Sequence, residues 1–330
     1  MEELVRKLVE TYGPSGFEEQ IRAVIRAKVE DLVDEVNVTP LGSLVAVRRG
    51  NGNGRRILLD AHMDEIGVMA SYVDEKGFLR FASIGGVFPL NCVGGRVVFE
   101  DGTLGVIGLE QKRDDKSKAP KREELYIDVG ATSRDDCPVK VGDAAVFVRP
   151  FVAQGDRWIS KAMDDRIGCA ILIEVLRQLD ETPNEVHFVF STQEETTLSG
   201  AQTAAYKIDP DLAIAVDVTL TGDTPESRPM AVELGKGPAV KVRDSGMIAH
   251  PMVRQLLVDA AEAAGVAVQM EILDGGTTDA AAMQIARAGV PAGCLSVPCR
   301  YVHTPSEMVH EGDVEGAVKV LERVTRELGN

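Results

Sequence analysis

The feature that most limits how this chain can fold is a rhythm that runs at both ends and breaks in the middle. Helical segments open the chain at residues 2–12 and 17–31, separated by the turn GPSG. Strand-like runs follow at SLVAVRR (43–49) and RRILLDAH (55–62), and the NGNG between them reads as a hairpin turn. After residue 160 the alternation resumes. DDRIGCAILIEVLRQLD reads as a helix with apolar positions 167, 171, 175 and 179 on one face, and EVHFVFST and DLAIAVDVT as strands. PMVRQLLVDAAEAAG is a helix stopped by Gly265. VAVQMEIL, TTDAAAMQIARAG, VPAGCLSVP and GDVEGAVKVLERVTREL continue as strand, helix, strand and helix. This pattern predicts an α/β fold: a mostly parallel sheet with helices on both faces.

From about 66 to 160 the helices stop. Short runs (IGVMASYV, FLRFAS, RVVFE, GTLGVIGL, AAVFVRP) alternate with Gly- and Asp-containing turns, which predicts a small β-rich domain inserted into the α/β domain. Within it, QKRDDKSKAPKREE (111–124) reads as an exposed mobile loop.

Composition narrows the function. Acidic residues number 52 against 36 basic ones, a formal net charge of −16. A chain this acidic is a poor nucleic-acid binder, because phosphate contacts need basic patches. The five cysteines (Cys92, Cys137, Cys169, Cys294, Cys299) form no CxxC motif and read as reduced thiols of a cytoplasmic protein. MEELVRKLVETYG is an amphipathic helix pattern, not a secretory leader. No apolar run is long enough to predict a membrane span.

The candidate chemistry lies in five short stretches. In DAHMDEIG, His62 and Asp64 are two residues apart at a strand end, so both point the same way. Such a pair can place an imidazole on a metal and orient it with the carboxylate, although HxD alone also fits a structural histidine. In KAMDDRIG, Asp164 and Asp165 open a helix; one aspartate explains a cap and the other is left over. Glu194 and Glu195 stand side by side after the strand EVHFVF, where like charges repel. Asp217 interrupts the apolar run AIAVDVT, and His303 follows the strand VPAGCLSVP. His62, Glu194, Glu195, Asp217 and His303 all fall at or just past the C-terminal ends of strands. In an open α/β sheet those ends converge where ligands bind. Two histidines with several carboxylates suit borderline divalent cations such as Zn2+ or Co2+. With one bridging carboxylate they suit two ions roughly 3.5–4 Å apart. Scattered caps and surface carboxylates are the competing account.

AHMDEIG, KAMDDRIG, QEE, VDVT followed by GDTPES, LGKGP, GGTTDA and RYVHTPSEMV occur in one order across nearly the whole chain. Together they resemble the di-metal aminopeptidases of the tetrahedral (TET) family, which includes glutamyl, leucyl and lysyl aminopeptidases and members labelled cellulase M or endoglucanase. The resemblance implies a zinc-exopeptidase-like catalytic domain of residues 1–65 and 161–330, with 66–160 as an inserted assembly domain. It implies Asp164 as the bridge between two divalent ions, His62 and Asp217 completing one, and Glu195 and His303 the other. Glu194 would be the general base, Asp64 would hold His62, and the Asp164–Asp165 peptide bond would be cis. It implies peptide substrates and self-association of dimers into a dodecamer. One departure stands out: after QEE, TTLSG (Thr196, Thr197 and Ser199 in particular) replaces the Val-Gly-Leu-Arg-Gly run of many relatives. Two other activities compete with the aminopeptidase reading. A di-metal deacylase or carboxypeptidase would use a related site, and an endoglucanase would use two carboxylates without explaining the histidines.

Overall fold

The computed structural model describes residues 1–52, 54–113, 115 and 117–327. Helices α1 (Glu2–Glu10) and α2 (Glu19–Val29) form where apolar residues recur at helical spacing. Leu4, Val5, Leu8 and Val9 on the first and Ile21, Ile25 and Val29 on the second are buried. Strands β1 (Glu35–Val38), β2 (Leu44–Arg48) and β3 (Arg56–His62) follow. The middle of the chain supplies β4 (Gly67–Val73), β5 (Leu79–Ile84), the single turn α3 (Pro89–Cys92), β6 (Arg96–Phe99), β7 (Leu104–Leu109), β8 (Leu125–Asp128) and β9 (Ala144–Phe147). Then come β10 (Val152–Gln154), β11 (Arg157–Ser160), α4 (Met163–Gln178), β12 (Glu185–Ser191), α5 (Glu194–Thr197), α6 (Ser199–Ile208) and β13 (Leu212–Thr219). The chain closes with β14 (Ala239–Arg243), α7 (Pro251–Ala263), β15 (Gln269–Ile272), α8 (Asp279–Gln284), β16 (Ala292–Arg300), β17 (Glu307–His310) and α9 (Glu311–Glu327).

The large sheet runs β1-β2-β12-β3-β13-β16-β17-β11-β10, with β14 and β15 attached beside β16. Its centre, β12-β3-β13-β16, is parallel, and both flanks are antiparallel. The sheet is therefore mixed, not mostly parallel as the alternation predicted. The reason is connection length: β1–β2, β10–β11 and β16–β17 are joined by a few residues each, and such links only permit antiparallel pairing.

The hairpin expected at NGNG does not form. Strand β12 lies between β2 and β3, antiparallel to one and parallel to the other. Part of NGNG, Asn53, lies outside the described residues. The need for glycine at Gly54 comes from close approach: a Cβ there would stand 2.3 Å from the carbonyl oxygen of Pro183.

Side chains alternate between two cores. Ile57, Leu59 and Ala61 of β3 and Ile214 and Val216 of β13 face the core shared with α1, α2, α4, α7 and α9. Leu58, Ala213 and Ala215 face the core under α6 and α8. Helices thus cover both faces. α4 is buried nearly all round rather than on the one stripe its spacing suggested, because it lies between the sheet and α9.

Strands β4-β5-β8-β7-β6-β9 close into a barrel around Val68, Phe81, Val97, Ile107, Ile127 and Phe147. Closure removes the exposed edges that six short strands would otherwise present. The barrel ends at Phe147. Residues 152–160 form the β10–β11 hairpin on the edge of the large sheet, so the stretch 66–160 holds more than the barrel. Asp114 and Lys116 of the loop 111–124 lie outside the described residues. Its flank is anchored rather than free: the Arg113 side chain is nearly buried and pairs with Glu124 at 3.2 Å. The five cysteines are free thiols. Among the described residues no helix is long and apolar enough to cross a membrane.

Candidate metal centre

The parallel centre of the sheet sets the site. β12, β3, β13 and β16 are neighbours in that order, so their C-terminal ends open on one edge. His62 is the last residue of β3, and Asp217 lies near the end of β13. Glu194 and Glu195 open the helical turn after β12, and His303 follows β16. Asp164 enters from the start of α4, and the Asp164–Asp165 peptide bond is cis.

The seven residues to which the resemblance gives site roles lie together here. His62 Nε2 lies 3.0 Å from Asp164 Oδ1, 3.8 Å from Glu194 Oε2 and 4.0 Å from Asp217 Oδ1. His303 Nε2 lies 3.4 Å from Asp164 Oδ2 and 3.3 Å from Glu195 Oε2. Two ligand groups result, His62–Asp164–Asp217 and Asp164–Glu195–His303, each with its ligand atoms within 4.8 Å of one another. The two oxygens of Asp164 face one group each.

Asp64 does more than hold the imidazole. His62 Nδ1 is 3.2 Å from the Asp64 carbonyl oxygen and 3.5 Å from Oδ1. The Asp64 carboxylate accepts the backbone N–H groups of Glu194 (3.0 Å) and Glu195 (3.2 Å). One aspartate thus ties β3 to the segment after β12.

Electrostatics mark the centre as short of positive charge. Burial first, and then the neighbouring Asp217, Asp279 and Glu195, push the Glu194 carboxyl well above the ordinary carboxylate range despite His62. Burial and Asp164 do the same to Asp217. Burial alone would lower His303, but Asp164 and Glu195 outweigh it and raise it to about 11. Glu195 Oε1 is buried with no hydrogen-bond partner, as are Asp165 Oδ2 and Asp279 Oδ1. Buried carboxylate oxygens without donors call for cations. The donor set, imidazole and carboxylate with one shared aspartate, fits a pair of divalent ions.

The structure adds residues that the sequence reading gave no role. Glu307 accepts the backbone N–H of Asp164 (3.0 Å) and of His303 (2.9 Å), fixing one residue from each side of the second group. It stands four residues after His303, and its only sequence signal was an acid in that motif. Ser191 donates to Asp60 (3.0 Å) or Asp279 (2.6 Å) beneath His62. The barrel also reaches in: a Cβ on Gly86 would meet His303 Nδ1 at 2.2 Å, and one on Gly85 would meet Glu195 Oε2 at 2.8 Å. Ala162, Gln193 and His303 all have left-handed backbone (φ 54, 58 and 60°), each at or within two residues of a site residue.

The centre opens into a cavity of about 710 Å³. Gly86 and Phe88 from the barrel segment and Thr196, Thr197 and Leu198 of TTLSG line it.

Known proteins resemble this chain over nearly its whole length. A family profile described as M42 glutamyl aminopeptidase matches residues 42–320. A lysyl aminopeptidase of Pyrococcus furiosus is 34% identical over 99% of this chain and 97% of its own. The solved structure of an aminopeptidase from the archaeon Desulfurococcus kamchatkensis superposes with a TM-score of 0.95 at 38% identity, covering 99% of this chain and 94% of that one. The TET1 peptidase of Pyrococcus horikoshii, described as able to assemble into a tetrahedron or a large octahedral shell, superposes with a TM-score of 0.89 at 34% identity, covering 99% of both chains.

Proposed function

The chain belongs to the M42 glutamyl aminopeptidase family, and on that premise we propose that it removes N-terminal residues from peptides with two divalent cations, Zn2+ or Co2+, as cofactors. The observation that carries the reading is the pair of ligand groups sharing Asp164. His62, Asp164 and Asp217 would hold one ion, and Asp164, Glu195 and His303 the other. Once bound, the ions would supply Lewis acidity, making hydroxide available near neutral pH and polarising the scissile carbonyl.

The remaining work falls to the chain. Glu194 belongs to neither ligand group, which leaves its carboxylate to accept a proton from water and return it to the leaving amine. Asp64 positions it by holding its backbone N–H. Glu307 positions Asp164 and His303 in the same manner.

The domain division is part of the proposal. Residues 1–65 and 161–330 would form the catalytic part and the barrel within 66–160 the assembly part, with the β10–β11 hairpin counted in the large sheet. Dimers building into a dodecamer would admit peptides and exclude folded proteins; the shell-forming relative from P. horikoshii supports this. A cytoplasmic site of action belongs to the same reading, supported by the free thiols.

Blocking the α-amine tests the activity. Protein loaded with Zn2+ or Co2+ should release p-nitroaniline from free aminoacyl-p-nitroanilides and leave their N-acetyl forms intact. Cleavage of the acetylated substrates would favour a deacylase or carboxypeptidase. Hydrolysis of carboxymethylcellulose, with no release of p-nitroaniline, would favour an endoglucanase.

A further inference from the structure

The cavity over the centre carries an unusual charge balance. Its site groups are four carboxylates, Asp164, Glu194, Glu195 and Asp217, with His303. Two bound dications would offset those four negative charges. Beyond the site, the apolar lining is Phe88, Leu198, Val218, Leu220, Leu273 and Val302. Threonine side chains and the Gly86, Gly275 and Gly276 backbone make up most of the rest. Among the described residues, one further charged side chain lines the wall, Lys241. It is fully buried, and its ammonium is engaged by Glu271, which is itself fully buried. Thr219 Oγ1 also donates to that glutamate at 2.7 Å. Among the described residues lining the cavity, the one cation outside the site is therefore already paired.

We infer that this cavity selects a neutral, aliphatic N-terminal residue, and that Glu271 sets this preference by occupying Lys241. The inference rests on the aminopeptidase reading and deepens it: the resemblance admits glutamyl, leucyl and lysyl preferences alike, and the family description and the P. furiosus relative name only the charged two. The physical reason is desolvation. A glutamyl or lysyl side chain would leave water for a wall whose described residues offer no free countercharge, whereas a leucyl side chain gains by burial. A charged side chain also cannot use Lys241 without breaking a buried ion pair, which leaves one partner uncompensated.

A panel of Leu-, Glu- and Lys-p-nitroanilide on the Zn2+- or Co2+-loaded enzyme tests this. Leu should lead both charged substrates by at least about tenfold in kcat/KM. A panel led by Glu or Lys overturns the inference and leaves the aminopeptidase reading standing; cleavage of none overturns both. Glu271→Gln frees the Lys241 charge and should raise the Glu:Leu ratio about tenfold or more, with the melting curve as the check on folding. An unchanged ratio in folded E271Q overturns the role of Glu271. The paired variant K241M/E271L replaces both charges with apolar groups and guards against E271Q failing to fold. It should keep the Leu-first ranking, and a switch to Glu or Lys overturns the inference.

Discussion

Carboxylates in the barrel's turns and carboxylates at the strand ends of the large sheet meet opposite fates. Asp101 accepts the backbone N–H and the hydroxyl of Thr103 at 2.9 and 3.0 Å. Asp136 accepts the hydroxyl of Thr132 at 2.6 Å and the N–H of Ser133 at 2.8 Å. These bonds hold Asp101 below the ordinary carboxylate range and bring Asp136 down to about 2. Both are exposed and satisfied within a few residues of themselves. Asp217, Glu194 and Glu195 are instead pushed up by burial, and Glu195 keeps an oxygen with no partner at all. The same side chains are turn formers where local donors exist, and they gather into a candidate cation site with its neighbouring acid where the fold removes water and supplies few donors.

The contrast can be broken most sharply by removing the ions. EDTA or phenanthroline should abolish peptide hydrolysis, and Zn2+ or Co2+ should restore it; full activity in chelated, metal-free protein would contradict the proposed chemistry. Next in size, Glu194→Gln should lower kcat by about 10²–10⁴-fold while metal content by mass spectrometry stays at two ions per subunit. Retained turnover would mean that another group moves the proton.

His303→Ala should lose one of the two ions per subunit. Gly86→Ala, which pushes a methyl group against His303 Nδ1, should weaken that same ion by about 10–100-fold without touching a ligand. An unaltered titration for both variants would remove His303 from the second group.

The smallest effect belongs to the barrel. The folded-state pKa of Asp136 is depressed from an ordinary value near 3.8 to about 2. Its contribution to stability is therefore full above the ordinary value and is lost as pH falls through about 2. Asp136→Asn should lower the melting temperature slightly at pH 7, with the difference vanishing near pH 2, and should leave kcat unchanged. A loss of activity in this variant would mean that the barrel's turns and the centre are not separate.

Much of the site was legible because its residues announce themselves locally. HxD at a strand end, DD at a helix start, QEE after a strand and a carboxylate inside AIAVDVT are each out of place by ordinary burial rules. Their common position at strand termini points to one edge of a parallel sheet. Glu307 and Gly86 were not legible in the same way. Glu307 acts on backbone N–H groups 143 and 4 residues away, and Gly86 matters only for the space it leaves to His303. Nothing in the residues nearest to them signals either role.

The sequence by itself determined the central strands, most of the helices, the two helix-covered faces and which charged residues stand at the strand ends, because apolar periodicity and misplaced charges are local properties. Tertiary structure alone decided the pairing. NGNG resembles a hairpin turn, yet β12 comes from more than 120 residues away to separate β2 from β3, since two buried strand faces outweigh one turn preference. It also decided that Asp164 turns one oxygen to each histidine, and that Lys241 pairs with Glu271. Those are matters of direction in space, and a one-dimensional pattern carries no direction once the chain leaves its own secondary structure.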